Sequence, residues 1–118
     1  MTTDEVVDQE SLEMLQSVMG EEFEELVELY LEDAGRHLAD LHAAVASQEC
    51  EAVIALAHSI KGASANVYAV RMARHCLELE ETTRSMKQQP DWQRLAVLLA
   101  NVQSAFGDTR AGFEGFLR

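Results

Sequence analysis

His58, Lys61 and Gly62 are the residues whose types and spacing could do chemistry together. They lie in Ala57-His58-Ser59-Ile60-Lys61-Gly62-Ala63-Ser64-Ala65-Asn66, which reads as the middle of a helix from about Glu51 to Val67. Steps of three and four residues place Lys61 and Gly62 on the helical face of His58. Neutral imidazole has one free lone pair, and an ordinary pKa of about 6.5 leaves much of it neutral near pH 7. A hydrogen bond from its other nitrogen to an acceptor would fix the tautomer and point the free nitrogen outward. An ammonium one turn away could attract phosphoryl oxygens and offset their charge, and the chain's only other lysine is Lys87. A glycine inside a helix costs roughly 1 kcal/mol relative to alanine, and here its bare backbone would leave room for a second protein. These are suitable parts for carrying a phosphoryl group on His58. A plainer reading fits the same pattern: a central helix buried on both sides, with His58 a satisfied core histidine. The face formed by Ile54, His58, Lys61, Gly62 and Ala65 holds one charge among small and apolar groups, which suits a docking patch or burial.

The rest of the chain must position that stretch. Residues 1–7 carry no clear pattern and read as a flexible N-terminal tail, and 8–118 read as one helical domain. From Asp8, the spacing of Leu12, Leu15, Val18 and Met19 predicts a short amphipathic helix capped by Asp8 or Ser11 and ended at Gly20. Phe23, Leu26, Val27, Tyr30, Ala34, Leu38, Leu41 and Val45 form the single stripe of a long second helix. Val53, Leu56, Ala57, Ile60, Ala63 or Ser64, and Val67 form the inward side of the third. A fourth helix runs from about Val70 to Gln88. It has Val70, Ala73, Leu77, Glu80 and Arg84 on one side and Met72, Cys76, Leu79, Thr83 and Met86 on another. Glu80 there is either a carboxylate with a specific partner or one of many surface acids. Pro90-Asp91 breaks the pattern, and a last helix spans about Asp91 to Phe116. The predicted fold is all-α, an antiparallel up-down four-helix bundle with an additional short N-terminal helix over one end.

Composition narrows the function. A length of 118 residues with 47% apolar content suits one domain with a real core, and the net charge of −12 argues against nucleic acid and anionic lipid. No run approaches the roughly 18 apolar residues of a membrane span, and the opening residues are acidic and polar rather than a signal peptide. The expectation is a cytoplasmic protein in which Cys50 and Cys76 are free thiols. Without a G-x-x-x-x-G-K-[ST] loop or any glycine cluster, the chain should not bind ATP and phosphorylate itself. H-E-x-x-H, C-x-x-C, the di-iron E-x-x-H and G-x-S-x-G are all missing from the sequence. Two rivals to a phosphoryl carrier remain. One is an adaptor that binds and blocks a receiver or kinase without taking phosphate. The other is a metal site, which would need His37, His42 or His75 to converge with His58 against their helical phases.

The motif also resembles the signature of histidine-containing phosphotransfer (HPt) domains, H-x-x-K-G followed by small residues, and Cys76-Leu77-Glu78-Leu79-Glu80 resembles the family's second element. The likeness extends over nearly the whole chain. It implies a phosphorelay intermediate that takes a phosphoryl group on Nε2 of His58 from a receiver-domain aspartate and passes it to another receiver. Lys61 would compensate charge, Gly62 would give access, and Glu80 would hold the other imidazole nitrogen. It implies no cofactor in this chain, Mg2+ in the partner receiver, and a monomer. Ala63 stands where many members have serine, and Tyr68 where many have glycine, so partner choice cannot be copied from relatives. Between an acidic bundle and an acidic receiver pocket, long-range repulsion is expected. Docking should therefore rest on an apolar ring of Ile54, Ala65, Leu41 and Tyr68, with Arg36 or Arg71 adding a favourable charge.

Overall fold

The computed structural model describes residues 5–118. Among these are five helices and no strand: α1 (Gln9–Met19), α2 (Glu22–Ala46), α3 (Cys50–Asn66), α4 (Val70–Ser85) and α5 (Trp92–Leu117). The architecture is the predicted all-α bundle. Short connections make consecutive helices antiparallel neighbours. Contacts run from α2 to α3, α3 to α4, α4 to α5 and back from α5 to α2, while α1 lies against α2. The core is filled by the long apolar side chains of the predicted stripes, with Phe23, Leu41, Ile60, Met72, Leu79, Leu95 and Phe113 fully enclosed.

The helix ends follow local chemistry. Asp8 caps α1 by accepting from the Ser11 backbone N–H at 3.2 Å, and Asp91 caps α5 by accepting from that of Arg94 at 3.1 Å. Gly20 closes α1 at φ 62°, where a side chain would be strained. α4 stops at Ser85, short of the expected Gln88, because Met86 leaves the helical region and Pro90 disfavours helical backbone just before it. The α2–α3 and α3–α4 turns each use a non-glycine residue with left-handed backbone, Gln48 at φ 56° and Tyr68 at φ 59°.

Of the expected flexible tail, residues 1–4 lie outside the described residues, and Val6 and Val7 touch the bundle. Asp8 donates its N–H to the Tyr68 carbonyl at 3.0 Å, and Arg71 donates its own to the Val6 carbonyl at 3.3 Å. Val6 also packs against Gly112 of α5, and Val7 against the core. This strap and α1, through fully buried Leu12, close the end of the bundle that holds the α3–α4 turn.

Candidate functional site

α3 buries Val53, Ala57, Ile60 and Ser64, one residue per turn, and so turns His58, Gly62 and Ala65 outward. The choice between Ala63 and Ser64 for the inner stripe falls on Ser64, whose hydroxyl meets that of Tyr30 from α2 at 2.6 Å inside the core. The His58 side chain is 65% exposed, which removes the reading of a core histidine. A Cβ built on Gly62 would meet nothing within 4 Å, so this glycine is not needed for packing within the chain.

Glu80 faces His58 from α4. Its side chain is only 3% exposed, because Cys76 and Thr83, one turn on either side, pull that face of α4 into the core. Of the other residues of its expected stripe, Val70 and Ala73 are half-buried, while Arg84 is exposed and Leu77 is 38% exposed. Glu80 Oε2 lies 3.0 Å from His58 Nδ1 and accepts from Arg84 Nη2 at 2.9 Å, while Oε1 accepts from Lys61 Nζ at 2.9 Å. Burial by itself raises the carboxyl pKa. Hydrogen bonds from Lys61, Arg84 and His58 outweigh it and hold the group well below its ordinary 4.5, at about 2. An ionised carboxylate can only accept, so Nδ1 carries the proton, and in the neutral ring the lone pair falls on Nε2 of the exposed side chain.

The structure thus brings His58, Lys61, Gly62 and Glu80 together across two helices. Lys61 is turned onto Glu80 and only 26% exposed, rather than extended into solvent. Arg84 belongs to the cluster and was given no role by sequence reasoning, although its spacing of four from Glu80 on one helix was the available signal. Of the expected docking residues, Ala65 and Tyr68 are exposed and Ile54 is half-buried. Leu41 is a correction. It is completely enclosed, because α2 uses it as a central core residue, and it cannot line a docking surface. Arg36 is exposed and tied to Glu32 and Asp33 of its own helix, and Arg71 binds Asp108 of α5 at 3.0 Å.

Other chemistry stays apart from this cluster. Cys50 and Cys76 are free, and burial pushes the Cys76 thiol up to about 12, so it packs as a neutral group. Among the described residues, no three His, Cys, Asp or Glu side chains converge as a metal site would require, and His42 meets Gln103 of α5 at 3.3 Å. A groove of about 850 Å3 between α2 and α5, lined by Glu24, Glu28, Arg110 and Phe113 among others, includes none of the site residues. No described helix is long and apolar enough to cross a membrane.

Fold and site together define a class: a small helical bundle that carries one oriented imidazole on its surface. The chain belongs to the Hpt domain family, whose model matches residues 25–107. Its structure is similar to that of histidine-containing phosphotransfer protein B (HptB) from Pseudomonas aeruginosa PAO1, with 33% identity, a TM-score of 0.85, and coverage of 96% of this chain and 95% of that one. It is also similar to the histidine-containing phosphotransfer protein ZmHP2 from maize, with 29% identity, a TM-score of 0.82, and coverage of 99% and 86%. No curated protein matches in a sequence comparison. The family and these likenesses support a role in phosphorelay signalling.

Proposed function

We propose that this chain accepts a phosphoryl group on Nε2 of His58 from the aspartate of a receiver domain, such as that of a hybrid sensor kinase, and passes it to the aspartate of a response-regulator receiver. The observation that carries this reading is the exposed His58 ring with Nδ1 3.0 Å from a buried, ionised Glu80. The Nε2 lone pair attacks phosphorus, the P–O bond to the donor aspartate breaks, and that carboxylate leaves with the bonding electrons. Nδ1 keeps its proton, so the ring takes up positive charge facing Glu80, and the same steps in reverse deliver the group to the second receiver. Lys61 compensates the phosphoryl charge, and Gly62 leaves the approach open. Ile54, Ala65 and Tyr68 contribute to the docking face. The chain acts as a cytoplasmic, monomeric intermediate with no cofactor of its own, and Mg2+ belongs to the receiver. It has no ATP-dependent kinase activity.

Incubation with a phosphorylated receiver should give an acid-labile, base-stable label on this protein that is lost in His58→Gln. A label persisting in that variant would overturn the assignment. Should binding to a receiver and control of its output instead survive His58→Ala intact, the adaptor reading would replace this one.

A further inference from the structure

Glu80 holds two cations where one would neutralise it. Lys61 Nζ lies on Oε1 and Arg84 Nη2 on Oε2, each at 2.9 Å. With 3% of its side chain exposed, Glu80 would be a stranded buried charge if its only counter-ion were withdrawn. Yet Lys61 is the one lysine on the histidine's helix face, and it is engaged with the carboxylate that holds Nδ1, not with the nitrogen that would carry phosphorus. The two cations are also held differently. Arg84 is bound along its own helix, four residues from Glu80. Lys61 reaches across from α3 on a flexible four-carbon stem, three residues from His58.

We propose that Arg84 is the permanent counter-ion of Glu80 and a positioning residue for His58, and that its presence lets Lys61 exchange from Glu80 to the phosphoryl group when His58 is phosphorylated. This rests on the phosphorelay reading of His58. Before transfer, the cluster carries one more positive charge than negative, from Lys61 and Arg84 against Glu80. Phosphorylation places roughly two negative charges at Nε2 and leaves the protonated ring positive. Lys61 then moves to the phosphoryl oxygens, while Arg84 and the Nδ1–H remain on Glu80 and keep the ring oriented. When the group departs, Lys61 returns. Each state leaves every charge facing an opposite one, and Arg84 keeps a cation on Glu80 throughout, including before the ring has gained its own positive charge.

The test uses phosphoramidate as a small chemical donor, so no partner protein enters. The Nε2–P bond forms, the P–N bond breaks, and ammonia leaves. Phosphorus NMR reports phosphohistidine, and nitrogen-15 NMR reports the side chains of Lys61, Lys87 and Arg84, with Lys87→Arg assigning the two lysines. Phosphorylation should shift the Lys61 Nζ signal and leave those of Lys87 and Arg84 in place. Arg84→Met should slow labelling about tenfold, as loss of one hydrogen bond to a charged group would, and Arg84→Lys should restore most of the rate. A Lys61 signal that stays fixed while phosphohistidine forms would overturn the exchange, as would movement of Arg84 in its place. Wild-type labelling in folded Arg84→Met would remove Arg84 from the site. If no phosphohistidine forms on wild-type protein, the phosphorelay reading falls and this inference falls with it.

Discussion

Replacing Glu80 with glutamine removes a charge that the fold keeps ionised, and the consequence is a defined pH dependence of stability. The carboxyl pKa drops from an ordinary 4.5 to about 2 in the native state. At roughly 1.4 kcal/mol per pH unit, that difference favours folding by about 3 kcal/mol at neutral pH. Because the native pKa is the lower one, the contribution is complete above the unfolded value. It disappears as pH falls from about 4.5 towards 2, with more than half gone by about pH 3. The other carboxylates of this acidic chain titrate in the same range, so the informative quantity is wild type minus Glu80→Gln, in which their contributions largely cancel. Stability should be measured by urea unfolding followed by helical circular dichroism, between about pH 5.5 and pH 2.5 and below the range in which ordinary imidazoles titrate. Any constant cost of the amide drops out of the pH dependence. The difference should shrink by about 2 kcal/mol or more across this window. A difference independent of pH would mean that Lys61, Arg84 and His58 do not hold Glu80 ionised, and the tautomer assigned to His58 would lose its basis.

Gly62→Ala should raise stability by about 1 kcal/mol, since helix propensity favours alanine and the added Cβ meets nothing within 4 Å. Phosphotransfer from a receiver should slow in the same variant, and a thermal melt set beside a transfer rate reads both signs. Gln48→Gly should also gain roughly 1 kcal/mol, because Gln48 is exposed with φ 56° and glycine relieves the left-handed strain. An unchanged or lower melting temperature would contradict this account of the α2–α3 turn. Tyr30→Phe and Ser64→Ala should each cost about 1–2 kcal/mol by leaving a buried hydroxyl without its partner. The double variant should cost less than the two together, whereas strict additivity would mean that the 2.6 Å contact contributes nothing.

The helices were legible because burial imposes a period on the sequence. The stripe from Phe23 to Val45 could be read directly, and so could the break at Pro90, while the cap of α1 was narrowed to Asp8 or Ser11 and falls on Asp8. What was not legible depends on rotation by less than one residue step or on contacts between helices. Leu41 was expected on the docking face, and yet it fits the α2 stripe equally well. Only the way α2 seats in the bundle decides between a core and a rim position. Ala63 and Ser64 were indistinguishable because both are small, and the choice is made by the Tyr30 hydroxyl, 34 residues away in sequence. Arg84 shared a side with Glu80 in the sequence pattern. Its role became visible once Glu80 proved to be 3% exposed and in need of counter-ions.

The same burial links the fold to the site's chemistry. A carboxylate oriented in open water would be screened and mobile. Inside the α3–α4 seam, flanked by Cys76 and Thr83, Glu80 is fixed relative to α3, and so is the imidazole that it holds. Fixing it there requires cations, which this chain has in short supply: nine Lys and Arg against twenty-one Asp and Glu. Two of the nine converge on this one carboxylate, making the site locally cationic on a protein of net charge −12. An anionic phosphoryl group therefore meets repulsion from the molecule as a whole and attraction at the histidine. Added salt, which screens over about 10 Å at 0.1 M, should weaken the distant repulsion more than the short contacts within the seam. Transfer between this bundle and an acidic receiver should accordingly speed up, not slow down, as ionic strength rises from low values. A rate that falls instead would place steering by the cationic site above repulsion by the acidic surface.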